Sequence, residues 1–555
     1  MNDLPPTVPA GAAAGRDAPA RRRIGWMAGA AGALALLLLA APLAWNCDDA
    51  FIAFRYSRHL AEGNGLRFNL GVEPPVEGYT QLGWVLMVAA IEWLKLDVVL
   101  ATRTLEIASG LVLVALVARI AAVRLGLGRA GALGAALFLA TSPTAVVWST
   151  GGLGTAFFAL SVFALGWCLH GSTSGRAASA SATGVQDDER ASSRVPALLP
   201  TVLAGFAVSI MRFDGAYWLT LLFAIAVLRG LVTKDSAYLV RSLVCAGWII
   251  ATIAVQTVWR VLYHGDWLPN TARAKAGGSL AYLDRGLEYL ATYWATVPAT
   301  LVLLALSFAF WRGERAWWWR ACSLTALGTF AYGALTGGDF MPFGRFYLPA
   351  LPFLALVAGA AIERVARARG PALATAVGAL LVGTSLPALF DLHLTPTALR
   401  EAVQFRHGRP YETEYAFWQG EQERRHKWEQ VGRALAQHTP PDASVVRTSI
   451  GAVGYYSRRT LYDSYGLVDR QVALEAEADP ERPSLPGHDV LVTPDFFADR
   501  APTYRYVALR FGVREGTPEA EAVRNQGAPG EVRELYFVRA EDGFDDDGVL
   551  ILTRF

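Results

Sequence analysis

The sequence predicts a polytopic α-helical membrane domain followed by a C-terminal α/β soluble domain. Of the 555 residues, 53% are hydrophobic and only 18% are charged, compared with about 25% charged residues in typical soluble domains. Apolar segments of helical length recur from residue 24 to residue 391. After residue 391 the sequence becomes polar and mixes helical stretches with short β-like runs, which favours an α/β domain.

The first apolar segment, residues 26–45, is long enough to span a hydrocarbon core about 30 Å thick. It is longer than the apolar region of a cleavable signal peptide, and further apolar segments follow it. Four arginines lie between residues 16 and 23, so the positive-inside rule places the N-terminus in the cytoplasm and residue 48 outside. We therefore predict a disordered cytoplasmic tail over residues 1–23, followed by a spanning helix.

Further apolar segments suit spanning helices, and the connectors between them alternate in character. Every second connector is rich in arginine, which assigns it to the cytoplasm. Together with the first segment, these segments make eleven crossings and put the chain after residue 391 outside. They lie near residues 103–123, 131–148, 155–170, 196–211, 216–230, 241–262, 291–310, 319–336, 347–365 and 372–391.

Segment 80–96 is also apolar, but a crossing there would turn the arginine-rich connectors outward. The segment is short and contains Glu92 and Lys95. We therefore predict a tilted or re-entrant helix that does not span and is covered by its neighbours. The alternative is an ordinary crossing, with one later segment miscounted.

The chain thus divides into a transmembrane domain over residues 24–391, with its first outer loop at 45–79, and an extracytoplasmic domain over residues 392–555. The extracytoplasmic domain has about 160 residues, enough for one soluble core. A polar helix around residues 421–427 precedes five β-like runs. These runs are 444–447, 460–462, 489–492, 504–509 and 534–538.

Composition and motifs argue against several functional classes. The net charge is +2, and no basic stripe or nucleic-acid motif occurs, so we expect no nucleic-acid partner. The four cysteines are scattered without the spacing of metal ligands, and we expect them to be free and buried. Gly451-Ala-Val-Gly454 follows a predicted strand but lacks a complete nucleotide-binding pattern, so we expect no nucleotide there.

Asp48 and Asp49 stand where the chain leaves the first spanning segment. One of them could cap the helix that follows, but a cap needs only one carboxylate. Two adjacent carboxylates repel each other, which raises the pKa of one of them and suits a general base. The pair would equally suit a divalent cation. We expect the helix after the pair to expose a polar face that includes Arg55 and to lie along the membrane surface.

Five basic residues lie in or beside predicted outer loops, where the positive-inside rule would not place them. Cations at such positions can bind an anionic ligand. Arginine can hold phosphate through two parallel bonds, whereas lysine acts as a point charge. The alternative role for each residue is to snorkel to lipid headgroups. The five are Arg212, Arg260, Arg273, Lys275 and Arg345.

Seven motifs occur in order from about residue 45 to residue 470. They are Asp48-Asp-Ala-Phe-Ile-x-x-Arg-Tyr, Gly63-Asn-Gly-x-x-Phe-Asn, Val76-Glu-Gly-Tyr-Thr, Arg212-Phe-Asp-Gly, Trp267-Leu-Pro-Asn-Thr, Gly337-Gly-Asp-Phe-Met-Pro-x-x-Arg-Phe and Asp463-x-x-Gly-Leu-Val-Asp. Together they resemble the polyprenyl-phosphate-sugar-dependent glycosyltransferases of the GT-C fold. The sequence is most similar to the terminal β-1,2-arabinofuranosyltransferases of the mycobacterial cell wall and their bacterial relatives.

The resemblance implies inverting transfer of a sugar from a polyprenyl-phosphate donor to an extracytoplasmic glycan or lipid-linked acceptor, with arabinofuranose as a candidate sugar. Asp48 would deprotonate the acceptor hydroxyl, and Asp49 would orient Asp48 or hold a hydroxyl. The five basic residues would contact the donor phosphate, Arg345 and Lys275 foremost. No cofactor is required, although the acidic pair could recruit a divalent cation. Sugar or acceptor contacts would come from Arg55, Glu77, Tyr79, Asp339 and His264.

Structural alternatives stay open for several of these residues. Asp339 and Asp214 could each form an ion pair with a neighbouring arginine, and Tyr79 could be an interfacial anchor. The sequence also departs from the family at Gly154, where a glutamate is expected, so its sugar or acceptor can differ from that of the relatives. The C-terminal domain would be a lid, a carbohydrate-binding module or a structural cap.

We expect a multi-pass protein of the bacterial cytoplasmic membrane, in contact with membrane lipid, with its active site and C-terminal domain outside. A transporter or flippase of lipid-linked sugars is one alternative, and a non-catalytic glycan-binding relative is another. Transporters often show internal repeats or paired interrupted helices. Neither is apparent in this sequence, which favours the enzyme.

Overall fold

Helices occupy most of the first 390 residues and a small sheet lies near the C-terminus in this computed structural model. The structure describes residues 10–171, 195–274, 280–313, 315–404, 406, 410–477, 486–526 and 531–555. The α-helices in chain order are α1 Ala10–Ala40, α2 Asp48–Ala61, α3 Leu82–Trp93, α4 Val98–Arg119, α5 Arg129–Thr141, α6 Pro143–Trp148, α7 Thr155–His170, α8 Leu198–Met211, α9 Gly215–Thr233, α10 Ser236–His264, α11 Asn270–Ala274, α12 Leu280–Thr296, α13 Pro298–Ser307, α14 Ala316–Leu335, α15 Leu351–Arg369, α16 Pro371–Gly383, α17 Thr397–Ala402, α18 Glu414–His438, α19 Gly451–Ser457, α20 Arg470–Glu475 and α21 Pro518–Asn525.

Five helices in the described part of the chain are long and apolar enough to cross a membrane. A sixth span would combine Tyr282–Thr296 with Pro298–Phe310, two helices that meet at 98°. Five further apolar helices have 10–17 residues and fall mostly on the other predicted spans. The five long helices are Ala18–Ala40, Val98–Arg124, Gly215–Thr233, Ser236–His264 and Arg345–Arg369. The predicted polytopic helical domain is therefore confirmed, with several spans shorter than a full membrane crossing.

Prolines explain two differences from the predicted spans. Segment 131–148 is divided between α5 and α6 because Pro143 opens a new helix. Segment 291–310 is likewise broken at Pro298, where α13 begins. Proline has no backbone N–H and therefore fits the first turn of a helix better than its interior.

The N-terminal region also differs from the prediction of a disordered tail over residues 1–23. Helix α1 already begins at Ala10 and continues through the four arginines into the apolar segment. Residues 1–9 lie outside the described part of the chain.

Helix α3 occupies the segment that was predicted not to span. It has 12 residues, which at about 1.5 Å per residue is too short to cross a core of about 30 Å. The chain segments that precede and follow α3 also contact each other. Asn46 donates to Thr102 Oγ1 at 3.3 Å and accepts from Arg103 Nε at 2.5 Å. Since Asn46 follows the first span and Thr102 lies near the start of α4, the chain between them leaves and returns on the same side.

Small residues bring the central helices of the membrane domain close together. Helix α1 packs against α4 and α5, and α5 packs against α15. A Cβ added to Gly131 would lie 2.7 Å from the carbonyl oxygen of Gly359, and one added to Gly359 would lie 2.5 Å from that of Gly131. Such contacts let helix backbones approach closely within a membrane. They fix α15 against the core directly after the loop that carries Arg345.

The C-terminal domain contains a five-stranded mixed sheet in the order β2-β1-β3-β5-β4. Strand β1 is parallel to β2 and β3, whereas β5 is antiparallel to β3 and β4. Helices α18 and α19 pack together in the same domain. The strands are β1 Ser444–Arg447, β2 Thr460–Asp463, β3 Tyr504–Phe511, β4 Arg533–Val538 and β5 Gly548–Arg554. The α/β character of this domain is confirmed.

Two strand assignments differ from the prediction. The predicted strand at 489–492 is wrong, because this segment has no strand structure. Its first residue, Asp489, instead accepts a hydrogen bond of 2.7 Å from Arg285 in α12. Strand β5 was not predicted, although all its residues except Arg554 are buried.

Helix α2 lies between the two domains rather than along the membrane surface. It packs against α3 on the membrane side and α19 on the C-terminal side. Ten of its 14 residues are buried, among them His59 and also Arg55, which was predicted to lie on an exposed polar face. That part of the prediction is wrong because these polar side chains bind carbonyl oxygens of the surrounding protein.

Candidate active site

Asp48 and Asp49 begin helix α2 and point in different directions, because successive residues of a helix are turned by about 100°. Asp48 is buried at the domain interface. Its Oδ1 accepts a hydrogen bond of 2.7 Å from the amide of Ala452, and its Oδ2 accepts one of 3.2 Å from Gly451. These are the first amides of α19, which have no partner inside their own helix. Burial raises the pKa of Asp48 to about 7, against the lowering effect of the two bonds.

Asp49 keeps 23% of its side chain exposed. Its Oδ2 lies 4.0 Å from Nη2 of Arg345. Arg345 belongs to the glycine-rich loop after α14, far from Asp49 in sequence but adjacent in the fold. The more exposed acid of the pair therefore faces a cation.

Asp339 holds Arg345 in place through two hydrogen bonds. Nε donates to Oδ2 at 2.6 Å and Nη2 donates to Oδ1 at 3.0 Å. Only 7% of the Arg345 side chain and 4% of the Asp339 side chain are exposed. Gly337 and Gly338 have φ values of +75° and +79°, which side chains with a Cβ rarely adopt. The two glycines thus allow the turn that precedes Asp339.

Arg212 and Asp214 form a second bidentate pair beside the first. The guanidinium donates from Nε at 2.8 Å and from Nη2 at 2.7 Å, and Tyr332 also donates to Asp214. Burial alone would raise the pKa of Asp214, but the Arg212 guanidinium holds this pKa below its usual range. The guanidinium carbons of Arg212 and Arg345 lie 5.4 Å and 5.6 Å from the ring centroid of Phe346.

We call Asp49, Asp214, Asp339, Arg212 and Arg345 the acid–arginine cluster. Each arginine binds its aspartate through the Nε and Nη2 edge, and Nη1 of neither makes a hydrogen bond to the described residues. A guanidinium has five N–H donors. The aspartates therefore orient the two arginines while leaving donors for an anionic ligand.

The remaining candidates for sugar contact lie in a different place. Arg55 is 3% exposed. It donates to the carbonyl oxygens of Phe68 at 2.7 Å, Gly454 at 2.8 Å and Arg459 at 2.7 Å. The last two belong to the C-terminal domain. Arg55 thus connects the first loop to that domain, and the structure does not bring it into the acid–arginine cluster.

Glu77, Tyr79, Arg260 and His264 form two buried pairs. Arg260 Nε donates to Glu77 Oε2 at 2.6 Å. Burial raises the pKa of Glu77, and the nearby Arg260 opposes that rise. His264 Nδ1 lies 2.8 Å from the carbonyl oxygen of Pro75, which can only accept, so Nδ1 is the donor of this bond. In a neutral His264, Nε2 is then an acceptor, and it receives the 3.2 Å hydrogen bond of the Tyr79 hydroxyl.

Asn270 ties these pairs to the C-terminal domain. Its backbone N–H donates to the carbonyl of Glu77 at 2.8 Å. Its Nδ2 donates to the carbonyls of Gly466 at 2.6 Å and Asp469 at 3.2 Å. A Cβ added to Gly78 would lie 2.4 Å from Val468. Three of the sequence motifs therefore meet here, and we call Arg55, Glu77, Tyr79, Arg260, His264 and Asn270 the interdomain joint.

Arg212 and Arg345 are the predicted phosphate contacts that lie in the cluster, whereas Arg260 and Arg273 bind acids outside it. Arg273 pairs with Asp266 through bonds of 2.8 Å and 2.5 Å. Lys275 lies outside the described residues. Arg260 approaches the cluster from the side of the joint, 5.0 Å from the ring centroid of Phe213, next to Arg212.

Gly154 stands where the family resemblance predicts a glutamate, and both its backbone conformation and its neighbours favour glycine. Its φ is +71°, and a Cβ there would lie 2.9 Å from Trp84. A glutamate does reach this loop from α4. Glu106 is fully buried and accepts bonds of 2.9 Å from the amides of Gly152 and Thr155. Sequence reasoning missed Glu106, although an acid within an apolar span is a signal of a buried polar role.

No group of three or more histidine, cysteine, aspartate or glutamate side chains suited to a metal ion occurs among the described residues. All four cysteines are free, and three of them are buried.

Comparison with known proteins identifies the fold. A family model described as a domain of unknown function (DUF8728) matches residues 413–538. No curated protein matches the chain. The crystal structure of ArnT from Cupriavidus metallidurans bound to undecaprenyl phosphate aligns with a TM-score of 0.52 and 13% identity, covering 95% of this chain and 97% of that one. The chain has the GT-C fold.

Two further structures resemble this GT-C chain. The apo state of the same ArnT aligns with a TM-score of 0.50 and 15% identity, over 94% of this chain and 96% of that chain. The apo oligosaccharyltransferase of Archaeoglobus fulgidus aligns with a TM-score of 0.47 and 12% identity, over 87% of this chain and 69% of that chain. The ArnT alignments cover enough of this chain to extend over both of its domains.

Proposed function

We propose that this protein is an inverting membrane glycosyltransferase that uses a polyprenyl-phosphate sugar as donor. The observation that carries the proposal is the partly exposed carboxylate of Asp49, 4.0 Å from the Arg345 guanidinium. A base beside an anchored cation is the combination that this reaction needs. The GT-C fold supports the proposal, because a similar structure, that of ArnT, binds undecaprenyl phosphate.

The proposed reaction is a single displacement at the anomeric carbon of the donor sugar. A carboxylate of the acidic pair accepts the proton of the acceptor hydroxyl, and the oxygen attacks the anomeric carbon from the face opposite the phosphate. The bond between that carbon and the phosphate oxygen breaks, and the phosphate leaves with the electron pair. The configuration at the carbon inverts, and no covalent enzyme intermediate forms.

The two arginines of the acid–arginine cluster are the proposed phosphate contacts. Their Nη1 groups make no hydrogen bond to the described residues, whereas their other edges are fixed by Asp339 and Asp214. Preorganised donors of this kind stabilise the negative charge that develops on a leaving group. The phosphate would therefore meet donors that need no rearrangement.

The identity of the sugar and the orientation in the membrane belong to the same proposal. Arabinofuranose is the first candidate sugar, from the motifs shared with arabinofuranosyltransferases. The acceptor is a glycan or lipid-linked glycan on the outer side of the bacterial cytoplasmic membrane, since arginine-rich connectors keep the opposite side in the cytoplasm. The displacement needs no metal, and activity in EDTA tests that statement.

Transfer by the purified protein tests the proposal. The protein in lipid nanodiscs is incubated with radiolabelled polyprenyl-phosphate arabinofuranose, other polyprenyl-phosphate sugars and a set of glycans and glycolipids. We expect a labelled product with a new glycosidic bond of inverted configuration. Transbilayer movement of the donor in proteoliposomes without any new bond would instead identify a transporter.

A further inference from the structure

The two aspartates of the acidic pair differ in exposure and in hydrogen-bond partners. We infer that Asp49 is the base of the proposed transfer, and that Asp48 is a positioning residue that fixes the C-terminal domain on helix α2. This assignment rests on the proposed function and exchanges the roles that the sequence motifs imply.

Asp48 is occupied by the protein itself. Each of its carboxylate oxygens accepts a backbone N–H from the first turn of α19. Only 9% of the residue is exposed. A pKa of about 7 would suit a base, but an acceptor hydroxyl would have to compete with two amides that lack any other partner. The amides of the glycine-rich turn at Gly451 therefore already have a carboxylate as hydrogen-bond partner.

Gly451 allows the close approach of α19 to Asp48. A Cβ at this position would lie 2.1 Å from the backbone oxygen of Asp48 and 2.7 Å from its Oδ2. The φ of Gly451 is not in the left-handed region, so the glycine is required by this contact rather than by its backbone. Arg55 strengthens the same interface about two helical turns later in α2, through the carbonyl of Gly454.

Asp49 has the surroundings of a reacting group. Its side chain is 23% exposed, and it is the carboxylate of the acid–arginine cluster that does not hold an arginine through two hydrogen bonds, as Asp214 and Asp339 do. Its nearest cation, Arg345, is already held by Asp339, so the 4.0 Å ion pair does not close on Asp49. Because Asp48 anchors the first turn of α2, it also sets the direction in which Asp49 points.

Asparagine variants separate the two roles. Asp49→Asn is expected to lower turnover about a thousandfold, within the usual range for loss of a general base, and to remove the acidic limb of the pH–rate profile. Asp48→Asn is expected to lower turnover only about tenfold while keeping that limb. The asparagine amide cannot replace both acceptor oxygens facing Gly451 and Ala452.

Hydrogen exchange measures the positioning role directly. In the wild-type protein, the amides of Gly451 and Ala452 donate to Asp48, and we expect these bonds to slow their exchange. We expect exchange of these amides to accelerate at least tenfold in Asp48→Asn, and not to change in Asp49→Asn. The amide of Ala416, which donates to Thr413 at the start of α18, is the internal control.

A glycine pair provides a test that leaves both aspartates intact. Gly451→Ala must push α19 away from Asp48 and should reproduce the exchange and turnover of Asp48→Asn. Gly420→Ala is the matched control in α18, where the atoms nearest to the added methyl belong to the end of the flexible Arg424 side chain. We expect Gly420→Ala to behave as the wild type in both measurements.

The opposite results would overturn the assignment. Asp48 is the base if Asp48→Asn removes the acidic limb while Gly451→Ala keeps nearly normal turnover. Unchanged exchange at Ala452 in Asp48→Asn would refute the positioning role. If the wild-type protein forms no product from any donor, the proposed function fails and the base assignment with it, whereas the exchange experiment still decides the role of Asp48.

Discussion

The acid–arginine cluster and the interdomain joint are built from the same types of residue, taken from the same set of sequence motifs. In the joint, three nitrogens of Arg55 all donate to backbone carbonyls, and Arg260 is 7% exposed and bound to Glu77. In the cluster, Arg212 and Arg345 each keep an Nη1 group without a bond to the described residues, and Asp49 is partly exposed. Arg260 likewise has Nη groups that make no hydrogen bond to the described residues, so the cluster differs from the joint in the partly exposed carboxylate of Asp49 beside a fixed guanidinium. A motif residue can thus lie at a candidate reaction site or at a domain contact.

The same conservative substitution in both regions should give the largest contrast. Arg345→Lys keeps a cation beside Asp339 but loses the free guanidinium edge, so we expect turnover to fall about a hundredfold. Arg260→Lys keeps a cation beside Glu77 and should leave turnover within about twofold of the wild type, since we place it outside the phosphate site. Steady-state transfer assays with the polyprenyl-phosphate donor measure both effects. Equal losses in the two variants would remove the distinction between cluster and joint.

Breaking the buried pair of the joint should cost stability rather than chemistry. Arg260→Met leaves the Glu77 carboxylate buried without its cation, and we expect the free energy of unfolding to fall by about 3–5 kcal/mol. The double variant Glu77→Gln with Arg260→Met should recover much of this loss, because no unpaired charge is left. Chemical denaturation in detergent, followed by the fluorescence of the tryptophans, measures the difference. A double variant no more stable than Arg260→Met would contradict this account.

Gly154 offers a smaller test, in the loop whose amides donate to Glu106. Gly154→Ala places a methyl in a left-handed conformation 2.9 Å from Trp84, and we expect a loss of about 1–3 kcal/mol in stability. Gly247→Ala, where an added Cβ meets nothing within 4 Å, is the control and should be neutral or stabilising. Thermal unfolding of the two variants side by side tests whether the packing around residue 154 excludes any side chain larger than that of glycine, glutamate included.

The pH dependence of stability should be the smallest effect. The pKa of Asp48 is raised by burial from an ordinary 3.8 to about 7, so the folded protein binds its proton more tightly than the unfolded chain does. Its contribution to stability is therefore complete below pH 3.8 and is lost as the pH rises toward about 7. Asp48→Asn removes this term. We expect the midpoint of unfolding to fall less steeply with rising pH in Asp48→Asn than in the wild type. Equal slopes in the two proteins would show that Asp48 makes no such contribution.

The sequence predicts the helical domain well because long apolar segments have few alternatives in a membrane. It also locates the acidic pair and the basic residues, since charges are conspicuous there. It does not predict how the charges divide between cluster and joint, because contacts such as Arg55 with Gly454 join residues 399 positions apart. The strand errors have a similar cause. The segment 489–492 has the composition of a strand. In the structure, however, Asp489 accepts a hydrogen bond from Arg285 of the membrane domain, and the segment does not form a strand.

A donor-bound structure would show where the phosphate and the anomeric carbon lie relative to Asp49, Arg212 and Arg345. Asp49→Asn protein with a polyprenyl-phosphate sugar in nanodiscs should trap the complex for cryo-electron microscopy, because the variant keeps the shape of the site without its base. We expect the phosphate within hydrogen-bond distance of Arg345 and Arg212, and the anomeric carbon on the side of residue 49. A phosphate bound instead by Arg273 or Lys275, with the sugar away from residue 49, would contradict the account.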